Sequence, residues 1–247
     1  MQAIESFKYN ASTSGLTGHI KLPFDQAIWP QAAVSLPETG GFVHSRVDNF
    51  NFRDLIMFDR AVSFAAGSFS EKDDAFDATA AVTIEGLNIL NVVTADRVTA
   101  RIASSHPRSG AEPRITPIGC CFENLRIAGY KVEVDMATDI FSRFNTATMF
   151  NAACCDPDTA QSLQPHVLDK LTAGGVACTM VRSIRGLGPE IMQTGNTIRI
   201  PDFGVLRLCT MEITERKRRV SMLQFDLGST PEGAGQAGGA EGNGSAN

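Results

Sequence analysis

Hydrophobic and polar residues alternate along much of this chain, and a period of two marks strands with one dry face. Asp96–Ile102 shows it cleanly: Val98, Ala100 and Ile102 fall on one side, Arg97, Thr99 and Arg101 on the other. Ala80–Ile84, Tyr130–Asp135, Thr197–Ile200, Val205–Ile213 and Ser221–Leu227 read as further strands, the last with Leu223, Phe225 and Leu227 on one face. Breakers at Pro37–Gly41, Gly67–Asp74 and Ser104–Pro117 punctuate the N-terminal half, as between antiparallel strands.

A second pattern recurs: bulky apolar, two residues, Leu, one residue, apolar. It occupies Phe52–Met57, Ile84–Ile89, Phe122–Ile127 and, more loosely, Phe203–Leu208. On a strand the Leu and the last apolar residue share a face, which predicts a β body assembled from similar leucine-centred segments. The expected fold is mainly β, with mostly antiparallel sheets arranged as a sandwich or a repeat-built stack. The wet face at Arg97–Arg101 favours the sandwich.

Residues 136–172 read as a small helical insertion. Asp139 can cap a helix carrying Ile140, Phe141 and Phe144, and Thr159–Leu171 can form another with Leu163, Val167, Leu168 and Leu171 on one side. Pro165 is tolerable there only near a first turn. From Gly228 the chain is mostly Gly, Ala, Ser, Glu and Asn with no bulky apolar residue, which predicts a disordered tail over 228–247. The expected organisation is one β-rich domain over 1–227 with that insertion, then the tail.

Composition narrows the function classes. The chain has 247 residues, 43% of them hydrophobic and 20% charged, the balance of a soluble globular protein. A net charge of −5 argues against non-specific binding to nucleic acid or anionic lipid. Fifteen Phe against one Trp and two Tyr point to a core rather than a stacking platform. No stretch approaches the roughly 18 apolar residues of a membrane helix, so no span is expected. Met1–Ser6 carries neither a basic patch nor an apolar run, so no secretory signal is read. The cysteines Cys120, Cys121, Cys154, Cys155, Cys178 and Cys209 are then expected as reduced thiols of a cytoplasmic protein, unless export is signal-independent.

Motifs with defined chemistry do not emerge. Gly233, Gly235 and Gly238 spell Gly-x-Gly-x-x-Gly, but no βαβ unit can follow them. The adjacent Cys pairs lack the two-to-four-residue spacing of zinc ligands, and His19, His44, His106 and His166 offer no paired base. Asp73, Asp74 and Asp77 form the densest acidic cluster, in a polar turn. No catalytic residue, metal ligand or cofactor is therefore assigned. The best specific contact site is the basic run Arg216, Lys217, Arg218 and Arg219, able to hold a phosphate, a carboxylate or an acidic partner surface. Its structural alternative is a hairpin turn whose charges discourage edge pairing.

Thr83-Ile84-Glu85-Gly86-Leu87-Asn88-Ile89-Leu90, then Val93-Thr94-Ala95-Asp96, then Phe122-Glu123-Asn124-Leu125-Arg126-Ile127-Ala128-Gly129 is similar to the choice-of-anchor P family of bacterial, mostly surface-associated proteins. The resemblance covers residues 80–135 and implies a β-rich fold with no catalytic residues. The leading expectation for function is a non-enzymatic binding or structural module with a protein partner, or a second copy of itself, at a strand edge or sheet face. The alternatives are a hydrolase with an acidic or Cys/His site assembled from distant loops, where two of Asp73, Asp77, Glu85, Asp96, His106 and Glu123 converge, and a carrier with an apolar cavity.

Overall fold

The computed structural model describes residues 7–21, 25–171, 174–215, 217–228 and 233–246. Long strands come first: β1 (Phe7–Ile20), β2 (Gln26–Gln31), β3 (Val34–Ser35), β4 (Gly41–Phe52), β5 (Ile56–Ser70), β6 (Ala75–Ile89) and β7 (Val93–Pro107). Short ones follow: β8 (Arg114–Pro117), β9 (Cys121–Glu123), β10 (Arg126–Ile127), β11 (Tyr130–Lys131) and β12 (Glu133–Met136). Helices α1 (Thr138–Arg143), α2 (Ala147–Cys155) and α3 (Pro157–Leu163) lead through a 3-10 turn at Gln164–His166. The chain closes with β13 (Val167–Lys170), β14 (Val176–Thr179), β15 (Val181–Arg185), β16 (Met192–Thr194), β17 (Thr197–Ile200), β18 (Gly204–Ile213), β19 (Lys217–Leu227) and β20 (Gly233–Ala246).

These strands build two antiparallel sheets packed face to face, with β12 and β15 as a separate pair. The first sheet runs β13-β14-β18-β19-β20-β1-β2, with β17 beside β18, β16 beside β17 and β3 beside β1. The second runs β11-β10-β7-β6-β5-β4, with β8 and β9 also on β7. The sandwich interior receives Ala11 and Leu16 of β1, Ile84 and Leu87 of β6, and Val98 and Ile102 of β7, all essentially without exposure. Arg97, Thr99 and Arg101 face outward, as their alternation predicts.

The leucine-centred segments do not form equivalent units. Leu87 lies inside β6, Leu125 between β9 and β10, Leu206 in β18 of the other sheet, and Leu55 half-buried in the β4–β5 turn. The architecture is a sandwich rather than a stack. Within the expected insertion, Phe141 of α1 and Phe150 of α2 stack at 6.2 Å. Thr146 caps α2 by accepting from the Met149 N–H at 3.1 Å, and Asp156 caps α3 in the same way. The expected helix over Thr159–Leu171 stops at Leu163. Pro165 falls in the 3-10 turn, and Val167–Lys170 pair with β14.

The glycine-rich tail is the main correction. Gly233–Ala246 form β20, a central strand paired with β1 on one side and β19 on the other. Residues 229–232 and 247 lie outside the described residues. Composition counts side-chain burial, whereas β20 is held by backbone hydrogen bonds on both edges. Its small residues also let neighbours close in. A Cβ on Gly235 would drive into the Phe225 ring, and one on Gly242 would stand 3.4 Å from Ile102 of the facing sheet. Deleting residues 233–247 is expected to abolish cooperative thermal unfolding, read by calorimetry. A truncated chain that melts like the full one would remove β20 from the core.

Candidate functional site

The basic run opens β19, and strand alternation divides it. Arg216 lies outside the described residues. Lys217 and Arg219 point to the outer face and share one carboxylate, Glu241 of β20, at 2.7 and 3.1 Å. Glu241 itself is only 12% exposed, so two cations neutralise a largely covered anion.

Arg218 points the opposite way and is buried under the helical insertion. Its guanidinium donates to the carbonyl oxygens of Phe141 (3.3 Å), Phe144 (2.6 Å) and Thr146 (3.3 Å). These carbonyls belong to the end of α1 and the turn into α2, where helical acceptors are left over. A cation there also opposes the negative end of the short helix. Burial lowers the Arg218 pKa to about 10, so the side chain remains charged at neutral pH. The described members of the run are therefore held by internal partners.

The acidic and histidine candidates separate into three groups. Asp73 accepts from Ser70 Oγ at 2.9 Å within the β5–β6 turn. Glu85 and Glu123 flank Arg97 at 3.5 and 2.9 Å, and Asp96 accepts from the Asn124 amide at 2.6 Å. His106 is buried and Asp77 half-buried, on neighbouring strands where Asp77 stands opposite Ser105 and Phe76 opposite His106. The His106 ring lies 4.9 Å from Phe7, and its Nε2 has no hydrogen-bond partner. Burial pushes its pKa down to about 4, with Asp77 opposing. Burial, aided by Asp77, also raises the Tyr9 phenol.

The thiols are free: Cys120, Cys178 and Cys209 are buried, Cys121 and Cys154 half-buried, Cys155 exposed. Burial pushes Cys120 up to about 11 and Cys178 up to about 12, so these two are poor nucleophiles at neutral pH. Among the described residues no group of three potential metal ligands converges, and no helix is long and apolar enough to cross a membrane. A cleft of about 550 Å³ lies at the rim, between α2 and the β13–β14 and β18–β19 hairpins, lined by Asn151, Lys170, Val176 and Glu215.

A feature that the alternation did not single out is the end of the second sheet. The other sheet ends are blunted: β13 has four residues and closes on Asp169-Lys170, β2 carries Pro30, and β11 has two residues. β4 runs for twelve residues without Pro or Lys, and among the described residues only β5 pairs with it. Phe42 on this strand is 65% exposed and stacks on Phe64 at 6.1 Å and His44 at 5.9 Å. Beside it an ion-pair ladder crosses the outer face through Arg46, Asp48, Arg60, Glu85, Arg97 and Glu123. Arg46 holds the Asp48 carboxyl below its usual pKa, mainly by their hydrogen bond. The signal for this edge is the absence of Pro and Lys from Gly41–Phe52, rather than a motif.

The family model described as Domain of unknown function (DUF8256) matches residues 7–167, which run from β1 through the helical insertion to the start of β13. No curated protein and no solved structure matches the chain.

Two outcomes follow from this geometry. Arg218→Ala should cost roughly 2–4 kcal/mol in urea unfolding, because it leaves buried carbonyls without their charged donor. Lys217→Ala or Arg219→Ala should each cost under about 1 kcal/mol, since Glu241 keeps one cation. Equal costs would contradict the division of the run. For His106, the folded pKa lies below the unfolded one, so the unfolded state binds the extra proton. Stability is full above about pH 6.5 and falls towards pH 4, by up to about 3 kcal/mol. His106→Leu should flatten that stretch of the stability profile, and an unchanged slope would assign it to other groups.

Proposed function

The chain belongs to the family Domain of unknown function (DUF8256), and we propose that it is a non-enzymatic interaction module that binds protein by extending its second sheet at β4. The observation that carries this reading is the free edge of β4, regular over Phe42–Asp48, set beside three sheet ends that are short or interrupted. An open edge offers a row of backbone donors and acceptors to an incoming strand, which supplies affinity without a pocket. Phe42, stacked on Phe64 next to that edge, adds apolar area where an added strand would lie. The charge ladder leaves its carboxylates paired with arginines, an arrangement suited to a fixed surface rather than to acid–base exchange. The likeness of residues 80–135 to choice-of-anchor P proteins fits this reading, since it too brings a β fold and no catalytic residue.

The test uses a capped heptapeptide of alternating Val and Thr, titrated into isotope-labelled protein. Amide shifts should concentrate on Phe42–Asp48 and on facing residues of β5. Absence of shifts up to the solubility limit, or shifts centred on the rim cleft at Lys170 and Glu215, would remove β4 as the contact edge.

A further inference from the structure

Resting on β4 as the contact edge, we infer that its occupant is a second copy of this chain, paired antiparallel across a two-fold axis at Ser45. The regular part of β4 is bounded on both sides by left-handed residues, Gly41 with φ 103° and Asn49 with φ 52°. Asn49 drops out of the β4–β5 ladder and Gly41 is its last pair, so the regular stretch open to a new strand is Phe42–Asp48, whose middle is Ser45.

A two-fold axis normal to the sheet keeps outer faces together and must pass through a residue. Through Ser45 it sets Val43 opposite Val47 of the second copy on the inward side, a β-branched pair that suits a cross-strand position. On the outer side Phe42 meets Asp48 and His44 meets Arg46 of the second copy. Arg46 then has Phe42 of the second copy as its diagonal neighbour, within reach for a cation–π contact. The two left-handed residues, Gly41 and Asn49, come opposite each other, beyond the ends of the shared ladder.

Neighbouring axes are worse. An axis through Arg46 sets that cation against itself and Val43 against the left-handed Asn49. One through Val47 places Asn49 opposite Ser45, inside the ladder. One through His44 separates the valines and leaves Gly41 facing Val47. The Ser45 axis keeps the apolar pair and uses the whole regular stretch. Every contact off the axis occurs twice, as in an isologous interface. The seven-residue contact is smaller than a standard interface, so the dimer is weak and concentration-dependent.

Sedimentation equilibrium of the full chain should show a monomer–dimer equilibrium, with association at least tenfold weaker in Phe42→Lys, a change at an exposed position. Ser45→Cys, exposed to oxidised glutathione, should yield a dimer whose crosslinked peptide joins residue 45 to residue 45. Opposite residues on antiparallel strands lie roughly 4.5–5.5 Å apart at Cα, within disulfide reach. Wild type, with its native thiols, and Asn51→Cys should not form that link. A chain that stays monomeric while the Val-Thr heptapeptide still maps to β4 would overturn the second copy and leave the module reading intact. Failure of both would overturn both. A dimer that Phe42→Lys does not weaken, or one without the 45–45 link, would also overturn the two-fold at Ser45.

Discussion

The pairing of β20 between β1 and β19 holds the first sheet together. It joins the first described strand to the last hairpin of the chain, and both of its neighbours face the second sheet. Glycine loses more backbone entropy on ordering than any other residue, so a glycine-rich central strand is costly in isolation. Here the cost is offset by hydrogen bonding on both edges and by close approach. Ala237 and Ala240 are fully buried, and a Cβ on Gly238 would meet Met222 and Val98, the latter from the opposite sheet. Bulkier residues at these positions would hold the two sheets apart. The family match ends at 167, so the strands that complete the first sheet around β1 come from outside the matched segment.

Each sheet is also crossed by a row of residues that escapes regular pairing, and there the pleat changes parity. In the second sheet the row is Asn49, Asp59, Gly86, Asp96 and Asn124; in the first it is Gly15, Gly238, Met222 and Cys209. Left-handed backbone recurs on alternate strands: φ is 52° at Asn49, 67° at Gly86 and 49° at Asn124, then 68° at Gly238 and 52° at Cys209. Asn and Gly accept this conformation readily, which accounts for most of the row. Cys209 does not, and its complete burial means the surrounding packing must hold it there. Across these rows buried positions step by three instead of two, as from Thr13 to Leu16, Ile84 to Leu87 and Met211 to Leu208.

That step explains what was legible in the sequence and what was not. The spacing of three then two in Ile84-x-x-Leu87-x-Ile89 and Phe122-x-x-Leu125-x-Ile127 looks like a repeated unit. In the folded chain it records where β6, and the chain between β9 and β10, cross the left-handed row. Phe52–Met57 instead spans a hairpin turn, so equal spacing there has another origin. Alternation identified β7, β17, β18 and β19 because each has one dry face. It passed over β20, whose small residues carry no hydrophobic signal, and over β4, whose inward side chains are only half-buried at the sheet edge. The basic run was visible as charge. Its division between Glu241 and the helix carbonyls depends on contacts far along the chain, which no local pattern encodes.

The ladder from Arg46 to Glu123 shows what the second sheet gains from its charges. Exposed pairs of this kind contribute little individually, about 0–1 kcal/mol. Their alternating order matters more for register. Sliding β5 by two residues against β4 would bring Arg60 opposite Arg46, replacing attraction with repulsion while leaving the hydrophobic faces matched. The pleat-parity row beside the ladder acts in the same sense, because a slip would also misalign Asn49 with its gap at Asp59. The charges thus select how β4 sits on β5, lying on the sheet's face and pairing within it. None of them is spent on closing the outer backbone edge of β4, and this separates it from the Pro-bearing and shortened ends elsewhere in the sandwich.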